Sequence, residues 1–309
     1  MSFSSELKTE LGSIYDSARH CRLAELASLV CFSGNISHDN GRFVEVSSEN
    51  QIATEVFSEL IRKLFSTNCE ISDGRSTRNL KAFSARTPDG DGLDIFEALK
   101  INDKDEMPDI HALTVKSCCK RAFMRGAFIA AGAVSNPDKF YHFEITCRSG
   151  VIAETTAELM QALDLQAKVT ERQSHFVIYL KEIEQISNAV GLMGARRSLL
   201  ELENFRIVRE MRGNVNRRVN CETANINKAA QAAARQIEDI KFIEKNAGLG
   251  SLPDGLDEMA RIRLEYPEAT LGELGTHLEP PIGKSGVNHR LRRISSIAMA
   301  LRSRGRMLL

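Results

Sequence analysis

A helix–strand–helix–hairpin pattern occurs twice before residue 191, and this repetition limits the folds open to the chain more than any other feature. In the first copy, Arg22 to Phe32 (RLAELASLVCF) sets Leu23, Leu26, Ala27 and Val30 at helical spacing and closes on Ser33-Gly34. RFVEVSS (42–48) then alternates as a strand, and ATEVFSELIRKLF (53–65) reads as an amphipathic helix. CEISDG and NLKAFSA add two short strands around a turn. In the second copy CKRAFMRGAFIAAG (119–132) is a helix ending in Gly132, and FYHFEITC (140–147) is a strand. GVIAETTAELMQAL (150–163) is again a helix, and AKVTERQSHFVIYL (167–180) a hairpin. Helices and strands of this kind define an α+β class.

A chain of 309 residues has room for about two domains. Beyond the repeats the pattern becomes helical: residues 196–211 and 222–245 carry apolar side chains three to four apart. NAGLGSLPDG (246–255), with three Gly and one Pro, reads as a linker. LDEMARIRLEY (256–266) is a helix stopped by Pro267. Thr270 and Glu273 then form a T-x-x-E capping box, and Leu271, Leu274 and Leu278 give a short helix its apolar stripe. Neither Pro280 nor Pro281 can continue that helix, so a turn follows. Ser285 caps a third helix whose Val287, Leu291, Ile294 and Ala298 face inward. Three short helices with this middle turn predict a helix-turn-helix with its core at 256–298. The predicted division places the duplicated domain at 1–215, with repeats 1–110 and 111–215, and an all-α domain at 216–309.

Net charge is zero, yet the charges are segregated. Residues 1–191 hold 21 Lys+Arg against 27 Asp+Glu, residues 192–251 hold 11 against 7, and residues 252–309 hold 9 against 7. The last 27 residues carry seven basic side chains and no acidic one. A polyanion would therefore meet the C-terminal part of the molecule. Solvated faces usually mix both signs, which makes the acid-free stretch informative. On the third helix Lys284 and Ser285 stand where a recognition helix meets phosphate, with first-turn amides beside them. Asn288 and Arg292 carry side chains that read adenine and guanine edges bidentately. The expected DNA-binding set, within about 270–302, is Thr270, Lys284, Ser285, Asn288, His289, Arg290, Arg292 and Arg293, and the partner is double-stranded DNA. The acidic N-terminal part points to a protein partner.

LASLVCFSG (26–34) and MRGAFIAAG (124–132) resemble the paired signature helices of LAGLIDADG homing endonucleases. Ala27, Ser28, Gly126 and Ala127 are small enough for two such helices to pack closely. The resemblance implies an acidic residue just before each terminal glycine, to hold the metal ions that cut DNA. Those positions are Ser33 and Ala131, and two residues earlier stand Cys31 and Ile129. Cleavage through two metals needs carboxylates, so the expectation is a nuclease fold without nuclease chemistry and no enzyme. Joined to a C-terminal helix-turn-helix, the chain resembles the WhiA family of Gram-positive bacteria along nearly its whole length. Residues 118–145, 196–240 and 284–294 carry that likeness. It implies a DNA-binding transcription regulator tied to cell division and chromosome segregation, and in some lineages to sporulation. Two alternatives stay open: a scaffold whose DNA contact is incidental, and a nuclease using displaced acids such as Glu25 or Asp138.

Other constellations point away from small-molecule chemistry. Gly283-Lys284-Ser285 resembles the end of a phosphate-binding loop, but Leu278 occupies the position of its first glycine. DGDGLD (89–94) puts Leu93 where a calcium loop needs an oxygen and reads as a surface turn. The seven histidines lie apart without H-x-x-x-H spacing, so no zinc or other metal site and no cofactor is expected. Seven cysteines, with Cys118 and Cys119 adjacent and no C-x-x-C, read as reduced thiols. The longest uncharged apolar run, 126–134, is too short to span a membrane. MSFSSELKTEL shows no export signal, so a cytoplasmic, nucleoid-associated protein is expected.

Overall fold

The computed structural model describes residues 2–38, 42–75, 81–90, 92–102, 107–137 and 140–306. Two compact units divide the chain, Met1–Glu210 and Met211–Leu309. The division falls inside one continuous helix.

The first unit opens with α1 (Phe3–Gly12), which packs Leu7 and Leu11 into the core. The first repeat follows as α2 (Arg19–Ser33), β1 (Gly34–Ser37), β2 (Phe43–Ser48), α3 (Gln51–Phe65), β3 (Glu70–Arg75) and β4 (Lys81–Arg86). After the short helices α4 (Gly92–Ala98) and α5 (Ile110–Leu113) the same order returns. The second copy is α6 (Ser117–Ala131), β5 (Gly132–Val134), β6 (Phe143–Cys147), α7 (Gly150–Gln161), β7 (Lys168–Arg172) and β8 (His175–Leu180). Each copy builds a four-stranded antiparallel sheet of the same topology, β1-β2-β4-β3 and β5-β6-β8-β7. In β2 and β6 alternate residues are buried: Val44 and Val46, then Phe143 and Ile145. That alternation is the sheet-on-helix pattern read from the sequence.

Helices α2 and α6 pack against each other at the centre, and their closeness depends on small side chains. Ser28 and Gly126 each stand six residues before the glycine that ends their helix. They meet across the interface: a Cβ on Gly126 would lie 2.1 Å from Ser28 Oγ and 2.7 Å from the Glu25 carbonyl oxygen. Arg125 is buried in the same interface. Its Nε and one terminal nitrogen donate to the two oxygens of buried Glu25, both at 2.8 Å, and it also donates to Asp16. A bidentate guanidinium–carboxylate pair is the geometry that makes such burial tolerable. Helix α8 (Ile183–Met193) completes the core with Ile186, Val190 and Met193.

Helix α9 (Arg196–Ala247) begins where the Glu10 carboxylate accepts from the Arg197 and Ser198 amides, at 2.8 and 2.9 Å. The sequence reading divided this segment into two helices, but nothing in 212–221 breaks it. Gly213 is tolerated, and ion pairs spaced three and four residues apart, among them Arg206 with Glu203 and Glu210 and Arg218 with Glu222, support the polar turns.

The second unit takes its core from the end of α9, then α10 (Leu256–Glu265), α11 (Leu271–Thr276) and α12 (Lys284–Arg306). Ile240, Ile243, Met259, Leu274, Val287 and Leu291 meet there, each no more than 1% exposed. Residues 246–255 are not a free linker. Leu249 and Leu252 are buried in this core, and the segment forms a single 3-10 turn. Counting glycines missed the two leucines that anchor it. None of the helices among the described residues is long and apolar enough to cross a membrane.

Candidate nucleic-acid interface

The C-terminal helices are set at fixed angles by a few local contacts. The capping box predicted at Thr270 is present. Thr270 Oγ1 accepts from the Glu273 amide at 3.4 Å, and the Thr270 amide donates to Glu273 Oε2 at 2.7 Å. That amide bond holds the Glu273 carboxyl below the usual carboxylate range. Buried Arg263, on α10, donates to the Ala269 carbonyl at 2.6 Å and ties down the connection into α11. Burial lowers its pKa from the ordinary arginine value. The His277 ring stacks on Tyr266 at 4.2 Å.

The turn between α11 and α12 is closed by the Ile282 amide donating to the Gly275 carbonyl at 3.1 Å. A Cβ on Gly275 would stand 2.1 Å from the Ile282 carbonyl oxygen, so this approach needs glycine. Helix α12 then leaves the turn with Val287, Leu291, Ile294 and Ala298 buried, the inward set expected from spacing.

Its other face carries the basic residues. Lys284, Ser285, His289, Arg292 and Arg293 are exposed and Asn288 is half-buried. At about 100° per residue these six occupy one half of the helix circumference. Among the described residues their side chains form no hydrogen bond or ion pair. Two members of the expected set are placed differently. Thr270 spends its hydroxyl on the cap. Arg290, turned about 200° from Arg292, is half-buried and donates to the Gly255 carbonyl at 3.2 Å. From the acid-free stretch, Arg302 stays exposed but is held by partners in the same unit. It pairs with Asp239 at 2.6 Å and lies over the Phe242 ring at 4.7 Å.

In the first unit, the feet of α2 and α6 carry Ser33 and Ala131, where the LAGLIDADG resemblance leads one to expect acids. The Ser33 hydroxyl donates to the Leu29 carbonyl at 3.0 Å, and Ala131 is part-buried against the core. A cleft of about 560 Å³ beside them is lined by Lys8, Glu49, Ala131, Arg148 and His175, among others. Burial pushes the Lys8 ammonium down to about 8. The cleft thus offers three basic side chains and one carboxylate. Of the displaced acids considered for cleavage, Glu25 is bound by Arg125 on the helix interface. Burial pulls the Arg125 pKa down, but its hydrogen bonds to Glu25 and Asp16 outweigh that and carry it above the ordinary value. Asp138 lies outside the described residues, as does Asp91 of the DGDGLD turn.

Three family models match the chain in order. The WhiA N-terminal LAGLIDADG-like domain covers residues 19–85, the WhiA LAGLIDADG-like domain 120–212, and the WhiA C-terminal HTH domain 215–298. Proteins named probable cell division protein WhiA agree over the full length. That of Lachnoclostridium phytofermentans is 42% identical over 98% of this chain and 100% of its own length. That of Lachnospira eligens is 43% identical over 98% of each. The chain belongs to the WhiA family. Full-length WhiA from Thermotoga maritima has the same architecture, with a TM-score of 0.62, 26% identity and coverage of 97% of this chain and 99% of that one. The isolated N-terminal LAGLIDADG domain of a WhiA protein matches the fold at a TM-score of 0.52 and 20% identity, over 66% of this chain and 96% of that one. The WhiA HTH match contains α10, α11 and the basic face of α12 up to Arg293.

Sequence reasoning did not single out Lys8, Arg125, or the group His20, Cys21, Cys118 and Cys119. The last had a legible signal: Cys21 and Cys119 each stand thirteen residues before the glycine that ends their helix, Gly34 and Gly132. Equivalent positions in two repeats meet in space.

Proposed function

We propose that this protein is a DNA-binding transcription regulator acting in cell division, and that it grips double-stranded DNA through α11, the turn and α12. Lys284, Ser285 and Arg293 contact phosphate, while Asn288, His289 and Arg292 face base edges. The observation that carries this reading is the unpaired, acid-free outer face of α12. Cations that have no internal partner are free to displace counterions from a duplex. Thr270 and Arg290 position that helix. Chromosome segregation, and sporulation in lineages that sporulate, belong to the same regulatory role, exercised at the nucleoid in the cytoplasm. The names of the relatives support the cell-division assignment.

The duplicated domain is non-catalytic in this reading. Ser33 and Ala131 stand where metal-binding carboxylates would be required, and the neighbouring cleft carries Lys8 and Arg148. Its excess of acids suits a protein partner better than a phosphate backbone. Chromatin crosslinking of the tagged full-length protein tests the regulatory role: discrete enriched sites upstream of cell-division genes are expected. A flat genome-wide profile would favour a scaffold instead. Incubation with supercoiled plasmid and Mg²⁺ or Mn²⁺ is expected to leave the plasmid intact, and sustained nicking would overturn the non-catalytic reading.

A further inference from the structure

The first turns of α2 and α6 bring together two adjacent pairs of soft ligands. His20 and Cys21 are the second and third residues of α2, and Cys118 and Cys119 hold the same places in α6. The ligand atoms of all four lie within 4.8 Å of one another. His20 Nδ1 is 3.2 Å from Cys119 Sγ and 3.3 Å from Cys21 Sγ. A zinc tetrahedron built on bonds of about 2.3 Å to three sulfurs and 2.0–2.1 Å to one nitrogen has edges of roughly 3.5–3.8 Å. The four atoms therefore need only small side-chain rotations to surround one ion.

We propose that His20, Cys21, Cys118 and Cys119 bind a single zinc ion as a closed structural site that clamps the two repeats together. The donor set selects the ion. Three thiolates and an imidazole suit Zn²⁺ and disfavour Mg²⁺ or Ca²⁺, which need oxygen ligands. Backbone placement adds to this, because the positive ends of two helix dipoles converge on the thiolates. A disulfide would join two of the sulfurs and leave the third, with the imidazole, unused, whereas a tetrahedral ion engages all four groups. A side cavity of about 150 Å³, whose lining includes His20, Val115, Lys116 and Cys119, gives the ion a route in. The site lies at the N-terminal ends of the same helices whose C-terminal feet carry Ser33 and Ala131. Metal here would serve the fold, since four protein ligands leave no open position for substrate.

The test uses the full chain, purified under reducing conditions without chelator. Elemental analysis is expected to give about one zinc per chain. After chelation and reloading with Co²⁺, the protein should show thiolate-to-cobalt charge-transfer bands and the intense visible bands of a tetrahedral ion. Zinc added to the stripped protein should raise its Tm in a concentration-dependent way. Cys118→Ser combined with His20→Ala should lower the metal content to below about one-tenth, while Cys221→Ser, at an exposed cysteine of the second unit, should leave it unchanged. Should the double variant not fold, the cobalt spectrum of the unaltered chain decides alone. A reduced protein that holds no metal, gives no cobalt bands and gains no stability from zinc would overturn the proposal. So would a mapped disulfide among these cysteines under the same conditions, or full metal content in a folded double variant.

Discussion

Buried Arg125 and half-buried Lys8 act on the stability of the first unit in opposite senses. Arg125 satisfies Glu25 with two hydrogen bonds and reaches Asp16 as well. Its replacement by Met leaves the Glu25 carboxylate buried without a counter-charge, and chemical denaturation should report a loss of about 3–5 kcal/mol. Changing Glu25 to Gln in the same chain should recover part of that loss, because no lone charge then remains inside. Among the described residues Lys8 has no counter-charge of this kind, and burial lowers its pKa to about 8 from an ordinary 10.5. The unfolded chain therefore binds more protons between these values, so this group makes stability rise with pH across that window and its penalty is complete below about 8. Lys8→Met should raise the unfolding free energy at neutral pH by on the order of 1–3 kcal/mol, and the gain should shrink as pH approaches 10. A gain independent of pH would mean that packing, not charge, sets the effect. Neither residue announces itself in the sequence. A lone Arg or Lys on a helical pattern reads as solvated, and only the meeting of α2 with α6, or the fold of α1 over the helix feet, shows what covers it.

At the scale of elements, regular spacing was legible and irregular anchoring was not. The strands of both repeats, the capping box at Thr270 and the inward stripe of α12 follow from local periodicity. Continuity of α9 did not, because its exposed Arg- and Asn-rich turns carry no apolar stripe against a core and hold together through side-chain pairs along the helix. The segment 246–255 was misread for the converse reason: two leucines outweigh three glycines once a core is near. Of the basic face, spacing placed Lys284, Asn288, Arg292 and Arg293 together. It could not show that Arg290 turns back to Gly255, since composition says nothing about which carbonyl waits nearby. The turn itself rests on one glycine. Gly275→Ala forces its Cβ against the Ile282 backbone, and a cost of about 1–3 kcal/mol is expected, with weaker DNA binding because α12 is re-aimed. Unchanged thermal stability in this variant would show that the turn relaxes freely.

The whole molecule pairs an acidic duplicated unit with a basic-faced helical unit, and the division of charge follows the division of fold. Under the proposed function the polyanion meets the second unit, and the first serves a partner or supports the fold. The central claim is that the outer face of α12 holds the DNA, and its most direct test is the salt dependence of duplex binding by the full-length protein, followed by fluorescence anisotropy. Phosphate contacts make log K fall linearly with log salt, with a slope near −0.9 per contact. Lys284→Ala with Arg293→Ala should weaken binding to all sequences and reduce the slope by about two contacts, whereas Arg292→Ala should also cost about 1–3 kcal/mol of preference for the cognate site. Affinity and slope unchanged in the variant combining all three substitutions, with its fold intact, would contradict the account.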